Sequence, residues 1–227
     1  MNILLTNDDG YQATGLKLLK EKLSKYGKVV IVAPKEVMSA KSVAITLGKA
    51  VEVKQVENDV FYMEGTPADC VAFGLSSLNV DFDLVISGCN DGFNISYDIM
   101  YSGTIGACLQ ALTYRKPCIA FSCPSNFLLV EKYFDKVMDY ILKNNLLSTE
   151  YLLNVNFPLG EEVENILLTN IYYRNEVTYY VKKYEDHYYA DRFIHDEKCD
   201  AIGSDVYEVY HHNVSITKLS KTNLYKN

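Results

Sequence analysis

At 227 residues, with 48% hydrophobic and 22% charged side chains, the chain has the size and composition of one globular domain or a domain with an appendage. A net charge of −7 argues against a protein whose main task is to grip the backbone of long nucleic acid. It leaves room for a small phosphorylated substrate whose charge a bound metal neutralises locally.

The first ten residues, Met1 to Gly10, run from a short apolar stretch into two adjacent carboxylates and a glycine. This predicts a strand that delivers Asp8 and Asp9 to its carboxyl tip. Adjacent carboxylates repel, so they either splay into solvent as a turn or are held by a hard divalent cation with oxygen ligands. A helix capped by Thr14 follows, with Leu16, Leu19, Leu23 and Tyr26 on one face, its lysines solvated on the other and Gly27 as its stop. Val29 to Pro34 is a continuous β-branched run of the kind buried on both sides of a parallel sheet, so the opening reads as a βαβ unit.

The segment from Lys35 to Thr46 is small and polar and includes Ser39. Loose alternation over residues 50 to 63, with a turn at Asn58-Asp59, predicts an antiparallel hairpin. Thr66-Pro67-Ala68-Asp69 is a helix start with a Thr cap, Pro at the first turn and an acid at the third position. That structural role suffices for Asp69. Asp83 to Ser87 is another buried strand, followed by the Gly- and Asn-rich loop Gly88 to Asn94, whose backbone amides can face a ligand. Ser102-Gly103-Thr104 then opens a helix whose free amides and two hydroxyls form a natural phosphate seat, or only an N-cap. Cys118 to Ser122 predicts a strand, residues 128 to 145 a helix and Leu152 to Pro158 a further strand. Alternating strands and helices to this point predict a doubly wound, mostly parallel, Rossmann-like α/β sheet.

Beyond Pro158 the texture changes, although no linker or repeat marks a boundary, so residues 1–227 read as one domain with a 1–158 core and a β-rich 159–227 extension. Residues 166 to 189 carry seven tyrosines with few helix signals and predict extended hairpins suited to a subunit interface, or to stacking on a base. Alternation from Asn213 to Leu219 predicts a last strand.

The six cysteines include no Cys-x-x-Cys pair and no histidine at zinc-finger spacing, so they read as reduced and structural. No run approaches the ~20 apolar residues of a membrane helix, and no secretory signal is recognisable. A soluble, cytoplasmic protein is expected.

In a parallel sheet, Asp8, Asp9, Ser39, Asn90 and the Ser102 helix start all fall at the carboxyl edge, where open α/β sheets bind ligands. Two carboxylates, a hydroxyl and an amide oxygen suit Mg²⁺, Mn²⁺ or Ca²⁺. None of His187, His195, His211 or His212 is near these loops, so a histidine nucleophile is not indicated.

The run Ile3-Leu4-Leu5-Thr6-Asn7-Asp8-Asp9-Gly10 resembles the opening of the SurE survival-protein family, metal-dependent 5′-nucleotidases of the cytoplasm. Gly65 to Cys70 is similar to its G-T-P-x-D-C segment, Ser87 to Asn94 to its S-G-I-N-x-G-x-N loop, and Tyr101 to Thr104 to its Y-S-G-T. Leu153 to Asn156 and Val214 to Thr217 match two of its strands in the same order. The resemblance implies a single divalent metal, Mg²⁺ or Mn²⁺ with Ca²⁺ also accommodated, held by Asp8, Asp9, Ser39 and Asn90. It implies a substrate phosphate lined by Asn94, Ser102, Gly103 and Thr104. As catalytic residues, Asp8 or Asp9 is expected to orient or deprotonate the attacking water, an aspartyl-phosphate intermediate being the less favoured alternative. It also implies a homodimer or homotetramer that exchanges C-terminal elements. Cys89, Ile95-Ser96 and the loop Val37 to Ser42 depart from the family pattern without touching a proposed ligand.

The expected activity is hydrolysis of nucleoside 5′-monophosphates, extending to 3′-monophosphates and short polyphosphate. The competing readings are a nucleotide-dependent transferase and a non-catalytic nucleotide-binding stress protein.

Overall fold

The computed structural model describes residues 1–194 and 199–220. Its first half is built from β1 (Asn2–Thr6), α1 (Thr14–Leu23), β2 (Lys28–Pro34), β3 (Val53–Glu57), β4 (Val60–Met63), α2 (Pro67–Ser77) and β5 (Leu84–Asn90). Then follow α3 (Asp98–Tyr101), α4 (Gly103–Thr113), β6 (Cys118–Ser122), α5 (Leu128–Lys143) and β7 (Leu152–Asn156). Last come β8 (Ile166–Thr169), β9 (Glu176–Tyr184), β10 (His187–Ile194), α6 (Asp205–Tyr210) and β11 (Val214–Leu219).

Nine strands form one sheet in the order β3-β4-β2-β1-β5-β6-β7-β11-β8. From β4 to β7 every neighbour is parallel; β3 and β11 each join an adjacent strand antiparallel. The chain works outward from β1 to β2, then crosses back to β5 and continues through β6 to β7. The strand order therefore reverses between β1 and β5, which is where a doubly wound fold opens a ligand crevice.

Alternation along the strands separates two cores. Ile3, Leu5, Ile31, Leu153 and Val155 pack beneath α1 and α5, with Leu16, Leu19, Phe134 and Val137. Leu4, Val30, Val85, Ala120 and Leu152 pack beneath α2 and α4, with Val71, Ile105 and Cys108. A third, small cluster joins Ile95 to Val206 and Val209 of α6.

The local signals hold with some adjustments. Ala13, not Thr14, is the N-cap of α1, without a side-chain cap, and the helix ends at Leu23 before Tyr26 and Gly27. Thr66 and Asp69 form the reciprocal capping box at α2, and Asp69 additionally accepts from the backbone and hydroxyl of Thr46 at 2.9 and 2.7 Å. The 50 to 63 hairpin is present, but β4 pairs parallel with β2, so the excursion is part of the main sheet.

Within the C-terminal part, β9 and β10 form a separate antiparallel hairpin, whereas β8 joins the main sheet beside β11. The helix α6 was not anticipated. The cysteines are free thiols, and burial pushes those of Cys70, Cys89 and Cys108 well up. No described helix is long and apolar enough to cross a membrane. His195 and the anticipated extension's residues 196–198 and 221–227 lie outside the described residues.

Candidate functional site at the carboxyl edge

The apolar strand β1 is buried from Ile3 onward, and its end carries Asp8 below the surface at 4% exposure. Asn7 shapes the turn by donating from its side-chain amide to the Gly10 carbonyl at 2.9 Å. The loop after β2 closes against it: Met38 N–H donates to the Asp8 carbonyl at 2.7 Å. Ser39, the next residue, is exposed, and its hydroxyl has no hydrogen-bond partner among the described residues.

From the other side comes the start of α4. Ser102 caps it, its hydroxyl accepting the Ile105 N–H at 3.2 Å. The Thr104 hydroxyl donates to Asp8 Oδ1 at 2.6 Å. Gly103 permits this contact: a Cβ there would lie 2.8 Å from the Asp8 Cβ and 3.1 Å from Asp8 Oδ2. Gly106, one turn on, plays the same part for the β2 loop, since a Cβ would meet the Ser42 carbonyl at 2.0 Å. The helix start therefore faces Asp8, and the Thr104 side chain is engaged there.

The third component is the end of β5. Its strand runs through Asn90, further than the apolar run predicts, with an irregularity between Ser87 and Asn90 in its pairing with β6. Asn90 donates its amide to the Gly92 carbonyl at 3.1 Å, leaving its amide oxygen free of protein donors among the described residues. Asp91 N–H approaches Asp9 Oδ2 at 3.4 Å. Asn94 is buried, its backbone and side chain held by β6 and β7.

The electrostatics are those of an acidic site without a paired cationic side chain among the described residues. Burial, opposed by Thr104 and reinforced by Asp9, pushes the Asp8 carboxyl from its ordinary 3.8 up to about 6. Burial also raises Asp9, against the Asp91 N–H and with the charge of Asp91 added. Neither acid forms an ion pair with a Lys, Arg or His among the described residues.

Two desolvated carboxylates without a countercharge among the described residues, on residues touched by the neighbours in sequence of Ser39 and Asn90, offer oxygen ligands of the kind a hard divalent cation takes. No three His, Cys, Asp or Glu side chains converge as a metal group among the described residues. Asn90 and Ser39 would therefore be needed to complete an oxygen set. Asp91 is the functional candidate that sequence reasoning passed over; its signal was a third acid directly after Asn90.

Fold and site together define a doubly wound α/β protein that gathers acids, amides and a helix N-terminus at its switch point. Residues 3–178 match the family model described as Survival protein SurE. A protein named 5′-nucleotidase SurE from Clostridium botulinum (strain ATCC 19397 / Type A) is 41% identical over 175 residues, covering 72% of this chain and 69% of that one. A protein of the same name from Clostridium botulinum (strain Alaska E43 / Type E3) is 36% identical over 235 residues, 96% of this chain and 93% of the relative. The crystal structure of the SurE protein from Aquifex aeolicus matches with a TM-score of 0.81 at 31% identity, covering 97% of this chain and 93% of that chain. The chain belongs to the SurE family.

Proposed function

We propose that the chain hydrolyses nucleoside 5′-monophosphates to nucleoside and inorganic phosphate, using one divalent metal ion per subunit, Mg²⁺ or Mn²⁺, at Asp8, Asp9, Asn90 and Ser39. The observation that carries the reading is the buried Asp8 beside Asp9, without a cationic partner among the described residues, at the switch point of the sheet. The names of the relatives support the nucleotide monoester as substrate.

When bound, the metal would polarise the phosphoryl oxygens and lower the pKa of a water. The residues of the chain do the rest. Asp8 is immobilised by Thr104 and holds its place at the helix start. Asp9 is the less buried acid, so it orients the attacking water and accepts its proton. The Gly103 amide at the start of α4 and the Asn94 side chain meet the charge of the transferring group. Water oxygen bonds to phosphorus, the ester bond to the nucleoside oxygen breaks, and that oxygen takes up a proton.

The activity extends in this reading to 3′-monophosphates and short polyphosphate, in the cytoplasm and within a homodimer or homotetramer. The β9 and β10 hairpin supports the assembly, because it stands apart from the main sheet with Tyr179, Tyr180, Tyr184, Tyr188 and Tyr189 exposed. Isolated two-stranded hairpins are marginal in water. Sedimentation velocity that returns a monomer across micromolar concentrations contradicts this part.

The test of the activity is phosphate release from nucleoside 5′- and 3′-monophosphates and short polyphosphate, after chelation and with Mn²⁺ or Mg²⁺ restored. Metal-dependent release from 5′-monophosphates, above that from an aryl phosphate, is expected. No release under any metal overturns the reading, and transfer that needs an acceptor replaces it with a transferase.

A further inference from the structure

Alternation along β7 sends Leu153 and Val155 into the core beneath α1 and α5, and Leu152 into the core beneath α2 and α4. By the same alternation Asn154 and Asn156 share the side of Leu152. Both are fully buried, in a strand interior where asparagine is disfavoured and a carboxamide is costly unless its hydrogen bonds are made. Apolar residues would build this strand at least as well.

What the two carboxamides do instead is hold one residue, 60 positions or more away in the chain. Asn156 Oδ1 accepts the Asn94 N–H at 2.8 Å, and Asn156 Nδ2 donates to the Asn94 carbonyl at 3.1 Å. One side chain thus engages both polar groups of that residue's backbone, as a neighbouring strand would. Asn154 Nδ2 donates to the same carbonyl at 2.7 Å. Ser122, opposite Asn156 in the β6 and β7 register, accepts the Asn94 side-chain amide at 2.7 Å. Because a hydroxyl both donates and accepts, the Asn94 amide can rotate by half a turn and keep Ser122 while directing its NH₂ outward.

We propose that Asn156, assisted by Asn154, is a positioning residue for the phosphate site: it fixes the backbone of Asn94, and through it the donor offered to the phosphoryl oxygens. This rests on the reading that Asn94 contacts the substrate phosphate. Acting through another residue, Asn156 should matter only while the Asn94 side chain is present.

The experiment is a double-mutant cycle of Asn156→Val and Asn94→Ala, with Asn154→Leu as a second variant. The readouts are KM and kcat for adenosine 5′-monophosphate, the Kd of inorganic phosphate by calorimetry, and thermal unfolding to select folded variants. Asn94→Ala and Asn156→Val are each expected to raise KM and the phosphate Kd about tenfold, the worth of one hydrogen bond to a charged group. In the Asn94→Ala background, Asn156→Val should change them less than about twofold. Asn154→Leu, which removes one of the two donors to the carbonyl and leaves Asn156 in place, should give a smaller loss than Asn156→Val.

Wild-type KM and phosphate affinity in folded Asn156→Val overturn the inference. If that variant does not fold, wild-type values in folded Asn154→Leu do so. An equal loss in both backgrounds shows Asn156 acting elsewhere and overturns the inference alone. An Asn94→Ala variant with unchanged phosphate binding removes the assignment of Asn94 itself, and this inference with it.

Discussion

Replacing Asp8 by asparagine should make the metal-free protein more stable while abolishing the proposed metal-dependent hydrolysis. Burial lifts the Asp8 carboxyl from 3.8 to about 6, so the folded state binds this proton more tightly than the unfolded chain does. Below about pH 3.8 both states are protonated and the residue costs nothing. As pH rises from there to about 6 the unfolded state ionises first and stability is lost; above 6 the loss is complete. A rise of about two pH units at 1.36 kcal/mol each corresponds to about 3 kcal/mol.

Asparagine preserves the volume and one acceptor for Thr104 but fewer hydrogen bonds overall, so a net gain of about 1 to 2 kcal/mol is expected above pH 7. Urea unfolding in chelator between pH 4 and pH 8 measures it. The gain should close toward pH 4, and Mn²⁺ should stabilise wild type but not Asp8→Asn. No gain at pH 8, or the same gain at both ends of the range, would refute the claim that an uncompensated buried carboxylate shapes this site.

Three further substitutions probe the same framework. Gly103→Ala places a methyl group 2.8 Å from the Asp8 Cβ, so it should destabilise by about 1 to 3 kcal/mol and lower kcat/KM at least tenfold; wild-type turnover would show that the helix start can yield. Thr104→Val removes the hydroxyl that counteracts burial at Asp8, so the acid limb of the pH and rate profile should move to higher pH, and an unmoved limb would detach Thr104 from that titration. Asp205, fully buried, accepts the Ser96, Tyr172 and Val206 backbone N–H groups, so Asp205→Asn should turn an amide against one of these donors and cost about 1 to 3 kcal/mol in chemical denaturation. Unchanged stability would mean that the loop from Ser96 is not held by α6.

Much of the α/β core was legible because its signals are local. A β-branched run buried on both faces, as in Val29 to Ala33, has few alternatives to a parallel strand. Thr66-Pro67-Ala68-Asp69 writes its helix start in four residues, and the structure uses each hydrogen bond that spacing provides. Six residues of α6 hold too few turns for a period to emerge, and Ser204 was the only cap signal there. Tyrosine-rich alternation announced strands after Pro158, yet nothing local could tell β8, which enters the main sheet, from the free hairpin of β9 and β10.

The site divides along the same line. Chain order alone put the acidic turn at Asp8 and Asp9, the Asn90 loop and the Ser102 helix start at one edge of the sheet, since strand ends in a doubly wound fold share an edge. Their chemistry came from contacts between residues far apart in the chain. Thr104 reads as a phosphate hydroxyl in sequence; only folding brings it to Asp8, 96 positions away, where it offsets a burial cost that exists only once water is excluded. Asn154 and Asn156 look like two polar residues in a strand until β7 lies against the loop that carries Asn94. Residue type and spacing settle which groups can reach a sheet edge; desolvation and hydrogen-bond partners depend on packing across the sheet, and those set what the groups do there.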